Sequence, residues 1–226
     1  TVRNVATLFD PPASVKRELR PLSAEQVRTF LDSIAGSRQE PLVVVAVSLG
    51  LRQGEILALR WQDVDLEAGT LTVRHTLGIA SRELAEPKTD RSRRMLRLSP
   101  DVTALLRSHK ARQATERLAA GSRWQDRGFV FASPHGSPLN ASNVTHAFQA
   151  DLARAGLPRQ RFHDLRHAFA TLQLEDGEEL AVISRMLGHA DFSTTANVYA
   201  HVTPTSLQRS ADRMDGILRR RTAEGA

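Results

Sequence analysis

The chain has 226 residues, of which 41% are hydrophobic and 25% are charged. This length is enough for one well-buried core with a smaller appendage, and the composition excludes a mostly disordered chain. Cysteine is absent, which excludes disulfides, thiolate metal ligands and cysteine nucleophiles. No apolar run approaches the roughly 20 residues that a membrane helix needs, and no signal-peptide pattern is visible, so we expect a cytoplasmic protein.

The charge of the chain is basic. Lys and Arg outnumber Asp and Glu by 31 to 25, which gives a net charge of +6 and an isoelectric point near 10.8. Nearly all of the basic residues are arginines, whose planar guanidinium group suits phosphate. A basic surface favours a polyanionic partner, with nucleic acid as the first candidate. An Arg-rich composition can equally come from a GC-rich genome, so charge alone does not decide the function.

The predicted elements are mostly helices, and several of them end at a glycine. A capping-box pattern at Ser23 and Gln26 opens the first helix, after a Pro-containing segment, residues 1–21, that we interpret as a linker. Ser99 followed by Pro100 marks another strong helix start. The predicted helices span residues 22–34, 41–49, 55–60, 100–120, 140–155, 162–175, 178–187, 193–200 and 204–221.

Two short segments alternate apolar and polar residues as strands do, namely residues 71–73 and 95–98. The polar stretch between them, residues 81–94, is rich in arginine and predicts a long exposed hairpin. Residues 129–131 predict a further short strand. The expected fold class is therefore mainly α with a small antiparallel β-sheet (α+β).

One residue stands out as a candidate nucleophile, because Tyr199 is the single tyrosine of the chain. The nearby sequence and the preceding helices supply phosphate-binding residue types: Arg52, His163, Arg166 and His189. Two arginines and two histidines around a phenol make a metal-free phosphoryl-transfer site, since guanidinium groups stabilise the charge of the transition state. Histidine and arginine neighbours also favour formation of the phenolate.

Other interpretations of these residues remain open at this point. A lone tyrosine on a helix is usually a core residue with a wet hydroxyl. His163 and His167 have the spacing of zinc ligands. The zinc protease motif, however, has a glutamate directly after its first histidine, and this chain has Asp164 at that position. The acidic pairs lie in ordinary polar stretches and do not suggest a magnesium site.

Five segments of the chain resemble the motifs of tyrosine site-specific recombinases, the phage integrase family. They occur in the order of that family, cover most of the chain and converge on the single tyrosine. They are Gly-Leu-Arg-Gln-Gly-Glu (50–55), Pro-Lys-Thr with the arginines that follow (87–94), His-Asp-Leu-Arg-His (163–167), Leu-Gly-His (187–189) and the segment 193–202. The resemblance implies the catalytic-domain fold of that family.

The resemblance also implies a role for each matching residue. Tyr199 is the nucleophile that forms a 3′-phosphotyrosine bond and releases a 5′-hydroxyl. Arg52 and Arg166 clamp the scissile phosphate, and Lys88, on the hairpin, is the general acid for the leaving oxygen. No metal and no ATP are needed, because the covalent link preserves the energy of the phosphodiester bond.

Two further histidines of the motifs receive roles. His163 assists proton transfer at the nucleophile, and His189 donates a hydrogen bond to a phosphate oxygen. Glu55 and His167 are expected to contact the catalytic residues and not the phosphate, and Glu55 orients the first arginine, Arg52. Residues of the hairpin are expected to contact the DNA backbone: Thr89, Arg91, Arg93 and Arg94.

The implied protein is a site-specific recombinase that integrates or excises a mobile element. The gap between His189 and Tyr199 resembles integrases of phages and conjugative elements. The expected domains are a linker (1–21) from an absent N-terminal core-binding domain, a catalytic domain (22–221) and a tail (222–226).

The expected partner is double-stranded DNA at attachment sites, bound by a homo-tetramer that is monomeric when free and is assisted by an excisionase or directionality factor. We expect no cofactor and no membrane contact, and we expect association with the nucleoid of a bacterial host. The alternatives are a type IB topoisomerase-like enzyme, a catalytically silent DNA-binding regulator of the same fold, and, last, a metal-dependent hydrolase.

Overall fold

The structure is a computed structural model that describes residues 20–78, 83–86 and 93–189, together with Ala196 and Met214. Most of the predicted linker, the tip of the predicted hairpin and, apart from Ala196 and Met214, the two predicted C-terminal helices lie outside the described residues. Within the described segments, no helix is both long enough and apolar enough to cross a lipid bilayer.

The described helices follow the predicted order closely. The first begins after the predicted capping box: the Ser23 hydroxyl accepts from the backbone N–H of Gln26, and the Gln26 side chain accepts from the backbone N–H of Ser23. The helices are α1 (Ala24–Ser33), α2 (Glu40–Leu49), α3 (Gln53–Leu57), α4 (Pro100–Ala120), α5 (Ala141–Arg154), α6 (Asp164–Asp176) and α7 (Leu180–Leu187).

The described strands form two small antiparallel sheets. They are β1 (Val64–Asp65), β2 (Thr70–Val73), β3 (Thr76–Leu77), β4 (Leu84–Ala85) and β5 (Arg94–Arg97). One sheet has the order β1-β2-β5, with Val73 opposite Arg94 and Thr70 opposite Arg97, and the other pairs β3 with β4. Side chains of β5 alternate between buried and exposed, so Arg94 and Leu96 face inward.

The prediction of a strand over residues 129–131 is wrong. These residues are buried, but they make only an isolated bridge, in which Phe129 pairs with Arg60. Val130 donates to the carbonyl of Leu59, and its own carbonyl accepts from the buried side chains of His109 and Gln113. The Val130 carbonyl is thus bound by side chains and not by the backbone of a neighbouring strand.

The core is built around α2, which is buried along nearly its whole length and packs against α3, α4 and α6. Next to it, Phe148 packs edge-to-face with Phe30 and with Phe162. A second apolar cluster joins α6 to α7 through Phe169, Ile183 and neighbouring residues. The fold is mainly α with small antiparallel sheets, as predicted.

Candidate active site

Arg166 lies in the first turn of α6 and is the structural centre of the site. It is only 3% exposed. Its Nη1 atom donates to the carbonyl of Gly50 at 2.8 Å, and its Nη2 atom donates to the carbonyl of Leu187 at 2.7 Å. Gly50 stands two residues before Arg52, and Leu187 stands two residues before His189. One guanidinium group therefore holds together three of the segments singled out in the sequence.

The two carbonyls are available because both belong to helix ends. The last carbonyls of a helix have no partner within the helix, so they need donors from elsewhere. Both α2 and α7 end at a left-handed glycine, Gly50 with φ 62° and Gly188 with φ 66°. At Gly50 the lack of a side chain is also a packing requirement, since a Cβ atom there would lie 2.5 Å from Phe169 and 2.8 Å from Leu187.

Arg52 stands at the N-cap of α3 and is held by Glu55. The Glu55 carboxylate accepts from the Arg52 backbone N–H at 2.9 Å and from its Nη1 atom at 2.8 Å. The Arg52 side chain remains 39% exposed, whereas that of Glu55 is 5% exposed. Arg52 is thus fixed by Glu55 while part of its side chain is exposed, and the orienting role of Glu55 stays a prediction.

Arg94 does not occupy the position that the sequence suggested. Grouped above with surface contacts to DNA, it is instead buried, with 9% exposure. Its Nη1 and Nη2 atoms donate to the two carboxylate oxygens of Glu55 at 3.2 and 2.9 Å, and its Nε atom donates to the carbonyl of Met186 at 2.5 Å. The reason is the strand alternation of β5, which turns Arg94 inward beside Leu96. The prediction of a backbone contact by Arg94 is corrected accordingly.

Glu55 is a buried anion between two cations. Burial by itself would raise the pKa of its carboxyl group, but hydrogen bonds and the charges of Arg94 and Arg52 outweigh that effect and hold the pKa below its usual value. Glu55 is therefore ionised at neutral pH. Two guanidinium groups around one carboxylate leave a net positive charge at this place, as a phosphate site requires.

His163 and His167 lie one turn apart at the start of α6, with their rings edge-to-face and 5.2 Å between centroids. Although His163 is exposed, its ring is partly desolvated by its neighbours, and this desolvation together with the charges of His167 and Arg166 lowers the pKa of His163 to about 4. Burial is also the first cause of the lowered pKa of His167. These rings are neutral at neutral pH and can accept a proton.

His189 follows the glycine that ends α7 and is half-buried. Its backbone N–H donates to the carbonyl of Ser184 at 3.2 Å. Burial, followed by the charges of Arg166, Arg52 and Arg94, lowers the pKa of His189 to about 4. His189 therefore lies within electrostatic range of these arginines. The structure brings together the four described residues that were predicted to surround Tyr199: Arg52, His163, Arg166 and His189.

Residues 20–206 match the Phage integrase family, which is more than half of the chain. The chain belongs to the phage integrase family. The family resemblance stated from the sequence is thus confirmed, and neither a type IB topoisomerase nor a silent regulator is favoured.

Curated relatives of this phage integrase family member carry recombinase names. A tyrosine recombinase XerC-like protein of Caldanaerobacter subterraneus subsp. tengcongensis is 32% identical over 221 residues, which covers 92% of this chain and 56% of that protein. An integrase of Streptomyces ambofaciens is 34% identical over 228 residues, with coverage of 96% and 58%. The chain therefore spans a little over half the length of these relatives.

Solved structures of an integrase and a recombinase share the fold. The Tn1549 transposon integrase in complex with transposon right end DNA has a TM-score of 0.75 at 21% identity and covers 95% of this chain and 71% of that chain. The XerA recombinase has a TM-score of 0.70 at 24% identity, with coverage of 91% and 67%. These likenesses support the architecture described above.

Several residues predicted for the phage integrase site lie outside the described residues, namely Lys88, Thr89, Arg91 and Tyr199. Arg93 is described and is exposed at the surface, where it forms an ion pair with Glu86 at 2.9 Å. Exposed pairs of this kind are weak, so a DNA phosphate can replace the glutamate. The prediction that Arg93 contacts DNA stays a prediction.

The described part of the chain holds no group of three His, Asp or Glu residues placed to bind a metal ion. Asp164, between the two histidines of the zinc-like spacing, instead accepts from the backbone and the guanidinium group of Arg161. Its carboxylate is thereby used in binding Arg161, just before the start of α6.

Proposed function

We propose that this chain carries the catalytic site of a site-specific DNA recombinase. The reaction cleaves and rejoins DNA strands through a 3′-phosphotyrosine intermediate and thereby integrates or excises a mobile element. The observation that best supports this proposal is the pair of hydrogen bonds from Arg166 to Gly50 and Leu187, which gathers Arg52 and His189 around one buried guanidinium group.

The proposed reaction begins when the Tyr199 oxygen attacks the phosphorus of a phosphodiester. The bond from phosphorus to the 5′-oxygen breaks, and that oxygen takes a proton from Lys88. The new P–O bond to tyrosine replaces the bond that is lost, so neither ATP nor a metal is consumed. Rejoining is the reverse: a 5′-hydroxyl of the partner strand attacks phosphorus and the phenol leaves, taking back its proton.

The arginines stabilise the charge that develops on the phosphate oxygens. Arg52 is anchored by Glu55 and exposes the outer part of its side chain, and Arg166 is fixed in orientation by two backbone carbonyls. Such fixed donors are effective because they need not reorganise during the reaction.

The neutral imidazoles complete the proposed chemistry. His163 can accept the phenol proton because its pKa, lowered to about 4, leaves the ring unprotonated at neutral pH. His189, neutral for the same reason, donates one ring N–H to a phosphate oxygen. Binding of the phosphate anion will raise both pKa values, since an opposite charge favours the imidazolium form.

The proposed partner is double-stranded DNA. The solved Tn1549 transposon integrase, which shares this fold, is in complex with transposon DNA, and the basic charge of this chain suits a polyanion. By the same family relation we propose assembly as a homo-tetramer on attachment sites, a directionality factor such as an excisionase, and a location at the nucleoid.

The test is covalent trapping with Tyr199→Phe beside the wild-type chain. Both proteins are incubated with nicked duplexes that have a randomised core, with EDTA present, and protein–DNA adducts that survive SDS are counted. The wild type is expected to form adducts with some of these duplexes, which are thereby selected. Tyr199→Phe is expected to bind the selected duplexes in a gel-shift assay but to form no adduct. Adducts formed by the variant, no adducts with the wild type, or adducts that require a divalent cation would each contradict the proposal.

A further inference from the structure

Arg94 is the one described arginine of the site to which the family roles above give no part in the chemistry. All three nitrogens of its guanidinium group are used: two donate to Glu55 and one donates to the carbonyl of Met186. Its side chain is 6% exposed, and that of Glu55 is 5% exposed. A buried pair with this many hydrogen bonds has a fixed geometry.

The contacts of Arg94 lead to two catalytic elements. Through Glu55 it reaches Arg52, because the same carboxylate accepts from both guanidinium groups. At the end of α7, Arg94 binds the carbonyl of Met186 and Arg166 binds the next carbonyl along the chain. Two buried guanidinium groups therefore hold the turn of backbone that leads directly into His189.

Arg94 also marks where the predicted hairpin meets the body of the protein. It is the first residue of β5, and the segment that contains Lys88 leads into it along the chain. The pairing of Arg94 with Val73 and its bonds to Glu55 fix this end of the segment beside the first arginine motif.

We propose that Arg94 is a positioning residue for the strand-cleavage reaction, which holds the Glu55 carboxylate against Arg52 and fixes the last turn of α7 before His189. The inference rests on the function proposed above. Without Arg94, Glu55 is a buried carboxylate with one cationic partner instead of two, and it must either take up a proton or draw Arg52 inward. Each response moves Arg52 away from the position at which it contacts the phosphate.

The first test measures cleavage at saturating DNA with the nicked substrates selected by the wild type. We expect Arg94→Met to cleave ~10- to 100-fold more slowly, because small displacements of a phosphate-binding group have effects of that size. Arg94→Lys keeps the charge but cannot donate to both carboxylate oxygens and the Met186 carbonyl at once. Its cleavage rate should therefore lie between those of the wild type and Arg94→Met. The matched control is Arg97→Met, an exposed arginine of the same strand, which should cleave like the wild type.

A pH profile separates positioning from a general loss of structure. Among the described residues, the charged or titratable groups around Glu55 are Arg52, Arg94 and His189, whose pKa responds to the charges of both arginines. Since Arg94 helps to lower the pKa of Glu55, its removal raises that pKa, and protonation then releases Arg52 at a higher pH than in the wild type. The acid limb of the cleavage rate should move to higher pH in Arg94→Met, whereas a merely structural defect lowers the rate equally at every pH.

A third measurement needs no DNA and keeps this inference separate from the proposed function. The carboxyl ¹³C signal of Glu55 is titrated by NMR in the wild type, Arg94→Lys and Arg94→Met. The midpoint should rise in Arg94→Met and less in Arg94→Lys. An unchanged Glu55 midpoint overturns the inference even if cleavage is slow.

A double-variant comparison completes the test. If Arg94 acts through Glu55, Arg94→Met combined with Glu55→Gln should be no slower than the slower single variant. Multiplicative rate losses would contradict the inference. Should the wild type form no adduct with any DNA, the proposed function fails, while the Glu55 titration still decides whether Arg94 controls this carboxylate.

Discussion

At the scale of single residues, Arg166 has a structural role in addition to the chemical role proposed for it. It is buried and binds two backbone carbonyls that belong to helix ends in distant parts of the sequence. Lysine has the same charge but presents a compact ammonium group, whereas arginine presents a planar fork that can reach both carbonyls at once. The geometry therefore requires arginine at this position for folding, besides the phosphate contact proposed for it.

Arg166→Lys is expected to lower the free energy of unfolding by about 1–3 kcal/mol, because one buried carbonyl loses its donor. Urea denaturation at neutral pH measures this change. The control is Arg159→Lys, at an exposed position where the side chain donates to the side chain of Gln149, and there the change should stay within about 0.5 kcal/mol. Equal stability of the two variants would show that the carbonyl contacts of Arg166 do not matter.

The histidines make stability depend on pH. Burial disfavours the charged imidazolium and lowers the pKa of four of them: His109, His163, His167 and His189. In the unfolded chain their pKa returns to 6.5, so the unfolded state binds more protons once the pH falls below that value. The free energy of unfolding should then decrease from about pH 6.5 down to about 4, the folded-state pKa of His163 and His189.

Urea midpoints measured across this range test the pH effect. The carboxyl groups with lowered pKa, Glu55 and Asp164, add to this decrease only at the acidic end of the range and below it, because their ordinary values are 4.5 and 3.8. His189→Gln should reduce the slope of stability against pH, by at most about 1.4 kcal/mol per pH unit, the effect of a single proton. A slope that is flat in the wild type, or unchanged in the variant, would contradict the burial of these rings.

At the scale of elements, the site is formed by the ends of four helices that lie close together. Helix α2 ends at Gly50, α3 begins at Arg52, α6 begins beside His163 and α7 ends at Gly188. Helix ends expose carbonyl groups that need donors, and buried arginines supply them. The packing of Gly50 against Phe169 brings α2 and α6 close enough for the Gly50 carbonyl to reach Arg166.

Gly50→Ala, compared with a matched control, tests whether the close packing of α2 against α6 is required. Gly156 has almost the same φ, 68° against 62°, but a Cβ atom there meets nothing within 4 Å. Gly156→Ala should therefore show only the cost of a left-handed conformation, about 1–2 kcal/mol. Gly50→Ala should lose about 1–3 kcal/mol more, because its methyl group overlaps Phe169 and Leu187.

Thermal or urea unfolding of the two glycine variants gives this difference directly. Cleavage should also fall in Gly50→Ala, since the carbonyl that orients Arg166 is displaced, and should be retained in Gly156→Ala. If the two alanine variants are equally stable, the close approach of α2 to α6 is not required.

At the scale of the whole molecule, the sequence predicted the fold well because local signals mark the elements. The capping box at Ser23 and the glycines after α2 and α7 placed helix ends within a few residues of those observed. The segment 129–131 was misjudged, since its apolar residues reflect burial beneath side-chain hydrogen bonds instead of pairing in a sheet.

The candidate site was predicted less completely, because its contacts join residues far apart in the chain. Gly50 and Arg166, which are bonded, are separated by 116 positions, and no local pattern states which carbonyls an arginine will bind. The burial of Arg94 did leave a signal: it continues the alternation of Leu96 and Leu98 toward the core. Attention to charge alone placed it on the DNA-facing surface.

The most direct measurement for the central claim is mass spectrometry of the trapped protein–DNA adduct. The chain is incubated with a selected nicked duplex in EDTA, then digested with protease and nuclease, and the peptide that retains a nucleotide is sequenced. We expect a single modified peptide, with a 3′-linked nucleotide on Tyr199. A nucleotide attached to any other residue, or cleaved DNA without a covalent protein link, would contradict it.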